Sequence, residues 1–412
     1  MRLRTLLILS ALLIGAVAAQ ASHIYVVNSS SRTLTLIDTQ TGSLNNSFAQ
    51  LGLTPNLMYL GDEHIWVACS GDNAVQMLDR STGAHLRYIP VASSSNPYDV
   101  VQEGDYLYVS GLFTNKVYKI SLQSYTVVAN LDVGVSPQSL CVADDKLFVC
   151  NTGGHANNYA NSSISVIDLQ SFSVIQTIPV WTNPQFAVAR NGYLHVSCTG
   201  NWSNVAGKID IIDLASLQRV QRIDMGGNPG SMWISPQGIS WVGDGMGELL
   251  YSYNADSWEL LHGSGNPLVY QASMVSGTAE HLALLKQDYP AACVVRLYTS
   301  NLSLVATYTV GYSSSDILMV GEGQTAAEDE LQALTPGLYP NPASSGSALH
   351  LSKQVRDSGT FRLFNLRGQM VESVHLEKGA ESVQLPHLPA GVYLYRLQTA
   401  GKSLNGKLVI VK

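Results

Sequence analysis

Short apolar segments return along the chain at a nearly constant interval, each an aromatic or aliphatic pair followed by valine or a residue of similar bulk. They read His23-Ile-Tyr-Val-Val-Asn28, His64-Ile-Trp-Val-Ala-Cys69, Tyr106-Leu-Tyr-Val-Ser110, Lys146-Leu-Phe-Val-Cys-Asn151, Tyr193-Leu-His-Val-Ser-Cys198, Ile239-Ser-Trp-Val-Gly243 and Glu280-His-Leu-Ala-Leu-Leu285. Seven copies at a spacing of roughly 40 to 47 residues fit blades of four strands each. Within a copy a second segment alternates apolar and polar positions and ends in an acid, as in Thr33-Leu-Thr-Leu-Ile-Asp38, Ala74-Val-Gln-Met-Leu-Asp79, Ser163-Ile-Ser-Val-Ile-Asp168 and Lys208-Ile-Asp-Ile-Ile-Asp213. Alternation at period two is what a strand with two distinct faces requires.

Each acid opens a polar turn, such as Asp38-Thr-Gln-Thr-Gly42 or Asp79-Arg-Ser-Thr-Gly83. There the carboxylate can accept backbone amides and glycine can take a positive φ. A third strand follows, for example Leu86–Val91 or Ser173–Val180. An X-Pro step comes next, at Thr54-Pro55, Asn96-Pro97, Ser136-Pro137, Asn183-Pro184 and Asn228-Pro229. Proline fixes its own φ and predicts an extended residue before it. The fourth strand, such as Tyr98–Val101 or Ser139–Ala143, turns through Gly104-Asp105, Asp144-Asp145 or Asn191-Gly192 into the next copy.

The phase of the repeat predicts closure. The body starts on a first-type strand at residue 23 and ends on an extra fourth-type strand, Ser315–Val320, so its two ends can share one blade and leave no open sheet edge. An open solenoid is the alternative, and copies six and seven depart furthest from the pattern. The repeats resemble the YVTN or YncE-like propeller family through Tyr25-Val26-Val27-Asn28, Leu36-Ile37-Asp38 and Ile178-Pro179-Val180. The resemblance covers about three quarters of the chain and implies a fold, not an activity.

Outside the repeats, the chain opens with Met1-Arg2-Leu3-Arg4, an apolar stretch from Leu6 to Val17 and small residues Ala18-Ala19-Gln20-Ala21. This is the pattern of a secretory signal peptide, residues 1–21, cut after Ala19 or Ala21. A retained membrane anchor is the alternative, but the stretch falls short of the roughly 20 residues that span a bilayer. After the propeller, residues 22–323, an acidic segment at 324–337 reads as a linker or a short helix. Residues 338–412 read as a compact β-sandwich of short strands between Gly and Pro. This tail resembles the type A sorting domain of the type IX secretion system of Bacteroidota, on Tyr339-Pro340-Asn341-Pro342-Ala343, Phe364-Asn365-Leu366-Arg367-Gly368, Leu388-Pro389-Ala390-Gly391-Val392-Tyr393 and Lys407–Val411. The resemblance makes Pro340, Asn341, Pro342, Gly368, Gly391 and Tyr393 sorting-motif residues. It implies periplasmic passage, translocation by the type IX translocon, and release or attachment at the cell surface.

Composition narrows the function. Charged residues make up 13% of the chain, about half the usual share, and the net charge is −7. That leaves no basic face for nucleic acid. Five cysteines, Cys69, Cys141, Cys150, Cys198 and Cys293, form no C-x-x-C pair. Three of them recur near strand ends and read as small buried residues, with a Cys150–Cys198 disulfide as the alternative. The histidines fall in no metal-ligand spacing, Gly-x-Ser-x-Gly is absent, and Asp244-Gly-Met-Gly-Glu248 lacks the spacing of a calcium loop. No catalytic residue, metal or cofactor is predicted. The turns Asp38–Gly42 and Asp79–Gly83 faintly resemble those of quinoprotein dehydrogenase propellers, yet Ser43 and Ala84 stand where that family has Trp.

Two loops are longer than their counterparts, Thr152–Asn161 and Thr199–Ala206. With Trp181 and Asn183 they could offer aromatic faces and amide donors to a neutral polar ligand such as a glycan, or to a protein. Candidate ligand-binding residues are therefore Asn28, Asn151, His155, Trp181, Asn183, Asn201, Trp202 and Asp244. The expected protein is all-β, a seven-bladed β-propeller followed by a small β-sandwich sorting domain, and a secreted or surface recognition platform. A propeller enzyme (quinone-dependent oxidoreductase, lyase or hydrolase) and a structural surface-layer component are the alternatives.

Overall fold

The computed structural model describes residues 22–288, 290–321, 338–339, 343–351, 358–365, 369–380, 382–399 and 402–411. Seven four-stranded antiparallel sheets are built between Ser22 and Gly321. In six of them the strands run from the axis outward in chain order. In blade 2, Pro55–Leu60 is innermost, followed by His64–Cys69, Ala74–Asp79 and His85–Pro90. The strand after each X-Pro step is thus the axial one, and the valine-rich strand that marks the repeat is second. Copies six and seven form complete blades, although the outer strand of blade 6 shrinks to Leu260–His262.

Blade 1 is made from both ends. Ser314–Gly321 pairs antiparallel with Ser22–Asn28, with Tyr25 opposite Leu318 and Ser22 opposite Gly321. Successive innermost strands pack on one another all the way round, and Ser314–Gly321 packs on Pro55–Leu60, so the ring closes and the open-solenoid alternative is excluded. The molecule is a β-propeller. Side chains at the third position of the axial strands tie neighbouring blades. Asp316 Oδ2 accepts from Met58 N at 2.8 Å, Asp99 Oδ2 from Leu140 N at 2.8 Å and Ser231 Oγ from Val275 N at 2.9 Å.

The core lies between blades. Tyr59, Trp66 and Val75 of blade 2, for instance, pack on Leu107, Tyr108 and Val117 of blade 3. The turn acids behave as their sequence implied. Asp79 Oδ1 accepts from Ser81 N and Thr82 N at 3.0 and 2.8 Å, and the two hydroxyls beside it help to lower its pKa to about 2. Glycine fills the left-handed turn position only at Gly42 and Gly83. Tyr125, Phe172, Leu217, Trp258 and Leu302 take the same place with φ from +47° to +63°. Several of these side chains lie across the gap to a neighbouring blade, as Trp258 does against Tyr193 at 5.2 Å between ring centroids.

One expectation is corrected. The residue before proline is not extended in four of the five X-Pro steps: Thr54, Asn96, Ser136 and Asn183 have φ of +50°, +49°, +54° and +63°. The carbonyl of each of these residues accepts a backbone N–H from the loop after the second strand, as Thr54 O does from Ser70 N at 3.0 Å. The cysteines are buried, as their repeat positions imply, and the alternative Cys150–Cys198 disulfide is not formed. All five thiols are free and buried, and burial raises the pKa of Cys69 to about 12 and pushes Cys150 and Cys198 up as well.

The tail is a sandwich of a three-stranded and a five-stranded sheet. Phe361, Leu363, Tyr393, Tyr395, Leu397 and Leu408 fill the space between them together with Leu349, Leu351 and Val383. Gly391 opens the strand Gly391–Thr399, and Tyr393 donates its hydroxyl to Pro389 O at 2.9 Å. Pro340, Asn341, Pro342 and Gly368, like the leader and the linker, lie outside the described residues.

Candidate functional site

Antiparallel order sorts the connections into two ends. Tight hairpins between first and second strands and between third and fourth strands lie at one end. The longer loops, including those carrying the X-Pro steps, lie at the other. The chain enters and leaves at the hairpin end, where Ser22 pairs with Gly321 and Thr39 N bonds to Ser22 O at 3.0 Å. The loop end is therefore opposite Ser22 and Gly321.

The eight candidates separate by burial. Asn28 and Asn151 occupy one repeat position at the end of the second strand, which Cys69, Cys198 and Asp244 hold in other blades. Both asparagines are fully buried. Asn28 Nδ2 donates to Thr35 Oγ1 at 2.8 Å, and its Oδ1 accepts from Gly311 N and Ser314 Oγ at 3.1 and 2.7 Å. Asn151 Nδ2 donates to Ser165 Oγ at 2.9 Å. These buried side chains are engaged within the propeller, Asn28 reaching blade 7 through Gly311, and neither presents a face to a ligand. Asp244 is likewise buried, its pKa raised by desolvation, and it accepts from Met246 N and Glu248 N at 3.4 Å. It organises a turn.

Asn183 is buried too, and its Nδ2 donates to Gly200 O at 3.1 Å, which seats one long loop. Asn201 folds that loop internally, accepting from Val205 N at 2.8 Å and donating to Asn204 Oδ1 at 2.9 Å. Trp181 is half-buried and its indole N–H is used by Ala206 O at 2.8 Å. Its ring lies 4.3 Å from Lys208 Nζ and 4.9 Å from Arg222 Cζ. Beneath it the fully buried Asp210 pairs with Arg222 Nε and Nη2 at 2.5 and 2.7 Å and accepts from Trp181 N at 2.8 Å. Trp181 covers a buried ion pair, and cation–π contact on its ring leaves it little free face.

Three aromatic groups and one thioether remain and form a continuous band over blades 4 to 6. His155 is exposed and meets Tyr159 edge-on at 5.8 Å. Burial raises the pKa of the Tyr159 hydroxyl, and the neighbouring Trp202 indole opposes that rise. The Trp202 ring also presses on Gly245, where an added Cβ would come within 2.6 Å of it. Met246, next in the chain, is 67% exposed. Tyr159 and Trp202 have φ of +58° and +62°. Left-handed backbone at a bulky residue costs about 1–3 kcal/mol and persists only where the surroundings over-determine it. Here the partner contacts do so, and they hold Trp202 at 38% exposure. Sequence reasoning selected His155 and Trp202 but passed over Tyr159 and Met246. The aromatic in the longest loop was the available signal for Tyr159.

Leu57, Tyr98, Phe186 and Met274, all on axial strands, pack in one cluster with Ile317, which follows the buried Asp316 in the chain. Burial, with the charges of Asp99 and Asp316, pushes the Tyr98 phenol up to about 12. Among the described residues no group of three His, Cys, Asp or Glu could hold a metal ion.

Solved structures similar to this chain include a Kuenenia stuttgartiensis hydrazine synthase (12% identity, TM-score 0.54, 66% of this chain and 94% of that one). The dihydro-heme d1 dehydrogenase NirN is similar at 15% identity and TM-score 0.50, over 73% of this chain and 68% of that one. The computationally designed Ika8 protein is similar at 10% identity and TM-score 0.52, over 72% and 89%. At these identities the likeness is one of fold alone. No curated protein matches the chain. Residues 337–411 match the family described as a secretion system C-terminal sorting domain, which implies an exported protein with a secreted or cell-surface destination.

Proposed function

We propose that this chain is a YVTN/YncE-like propeller exported through the type IX secretion system, and that it works at the cell surface or outside it by recognition and not by catalysis. A signal peptide at residues 1–21 would supply the first, periplasmic step. The loop end over blades 4 to 6 is the recognition surface, and a glycan or a protein is its ligand. One observation carries the reading: Trp202, held between Tyr159 and Gly245 on strained backbone, keeps an aromatic face open beside His155 and Met246. A rigid, part-exposed tryptophan loses little conformational entropy on binding, which is why such residues dominate recognition surfaces.

The enzymatic reading has less support. Two of the similar structures are titled as a synthase and a dehydrogenase, but two carboxyl groups on the axial strands of this chain, Asp99 and Asp316, are buried and bonded to neighbouring blades. The test is a glycan and surface-protein binding screen with the mature chain and its Trp202→Ala variant. Binding that drops at least tenfold in the variant supports the proposal. Binding unchanged by Trp202→Ala would move the ligand elsewhere.

A further inference from the structure

The third position of the second strand is aromatic in six blades: Tyr25, Trp66, Tyr108, Phe148, His195 and Trp241. The first five are at most 4% exposed, each shut in between its own blade and a neighbour. Trp241 alone is part-exposed. Its cross-strand partner is a second part-exposed tryptophan, Trp233, where blades 3 and 5 carry Val101 and Val188.

Comparison with blade 2 supplies the physical reason. Trp66 is sealed by blade 3, where Gln102 Oε1 accepts its indole N–H at 3.0 Å. The residue of blade 7 that corresponds to Gln102 is Gly277, opposite Leu282 as Gln102 is opposite Leu107. It has no side chain to seal anything, and an added Cβ would lie 2.9 Å from the Trp233 ring and 2.7 Å from His281 O. The junction of blades 6 and 7 is left open at the hairpin end as a cleft of about 190 Å³, with Trp233 and Trp241 in its wall and Gln237, Thr278, His281 and Ser300 among its polar lining. Among the described residues neither indole N–H has a hydrogen-bond partner.

We infer that this cleft binds one ring of a neutral hexopyranose, within a larger polysaccharide. A cavity of about 150 Å³ already admits a benzene-sized ring, so the cleft has room for a single six-membered ring. Two indoles present flat apolar faces to the C–H side of a sugar, while amide, hydroxyl and imidazole groups meet its hydroxyls. No carboxylate, lysine or arginine lines the cleft, which disfavours a phosphorylated, sulfated or cationic ligand. The site lies at the opposite end from Trp202 and does not depend on the role proposed for that residue.

The test uses the full mature chain titrated with neutral hexaoses of glucose, mannose and N-acetylglucosamine. Tryptophan emission and saturation-transfer NMR are the readouts, and choline is the cationic control. Trp233→Val and Trp241→Phe install residues that other blades carry at these positions, and their thermal unfolding is checked against the parent. Saturable binding of one hexaose is expected, weakened at least tenfold by Trp233→Val and unchanged by Trp202→Ala. Three results would overturn the inference: no hexaose saturating by about 10 mM, equal affinity in both folded cleft variants and the parent, or choline binding in place of the sugars.

Discussion

Asp316 offers a sharp test of how the ring is held shut. It lies on the closing strand, is 8% exposed, and accepts backbone N–H groups from Ile317 at 2.9 Å and from Met58 of blade 2 at 2.8 Å. Burial lifts its pKa from 3.8 to about 7 against the opposing effect of those two donors. Between pH 4 and 7 the folded protein therefore keeps a proton that the unfolded chain has released. Stability contributed by this group is fully present below about pH 4 and is lost as pH rises through 7. Three pKa units at about 1.4 kcal/mol each amount to about 4 kcal/mol. Asp316→Ser removes the titration and keeps an acceptor, since Ser231 takes Val275 N in the same way in blade 6. At pH 4 the variant should be less stable by about 1 kcal/mol, the net value of one lost hydrogen bond. Urea unfolding of both proteins from pH 4 to pH 8 isolates the effect, because the other titrating groups cancel in the difference. The difference should swing toward the variant by about 4 kcal/mol. A difference flat to within 1 kcal/mol would refute the reasoning and mean that the carboxyl is hydrated or already ionised at pH 4.

The remaining expectations concern other junctions. His195 is buried with Nδ1 2.9 Å from the Tyr253 hydroxyl and Nε2 unpartnered, and burial and the charge of Arg190 depress its pKa from 6.5 to about 3 despite Asp256. Its contribution is present above pH 6.5 and lost as pH falls toward 3, so His195→Phe should gain on the parent over that range in the same urea assay. Gly245→Val should push the Trp202 ring off its seat, visible as a red-shifted, more quenchable tryptophan emission with little loss of thermal stability; unchanged quenching would contradict the packing. The five thiols, buried and in three cases pushed up in pKa, should react with an aromatic disulfide reagent at least a hundredfold more slowly in the folded chain than in denaturant. Fast labelling of any one would show that its junction opens.

Much of the fold was legible because its causes are local. Each blade buries alternate residues of its own strands, so Thr33–Asp38 or Ser163–Asp168 declares a strand without reference to anything distant, and the acid at its end declares the turn. Phase alone announced the closure by Ser314–Gly321. The candidate site was less legible, because the direction of its side chains depends on residues distant in the chain. Asn28 ends, and Trp202 follows, strands of the same kind in the repeat. Asn28 turns inward because Gly311, far away in the chain, leaves its amide a space and an N–H to bind. Trp202 faces out because Gly245 of the next blade supports its ring from below.

The sequence by itself determined the repeated strands, their order along the chain, the closure of the ring and the presence of an export domain. Only the tertiary structure decided which of the repeated side chains remain available. Trp66 and Trp241 hold one position in the repeat, yet Gln102 seals the first and Gly277 leaves the second open. Exposure is set across a junction by a residue roughly forty positions on, a pairing that strand periodicity does not encode.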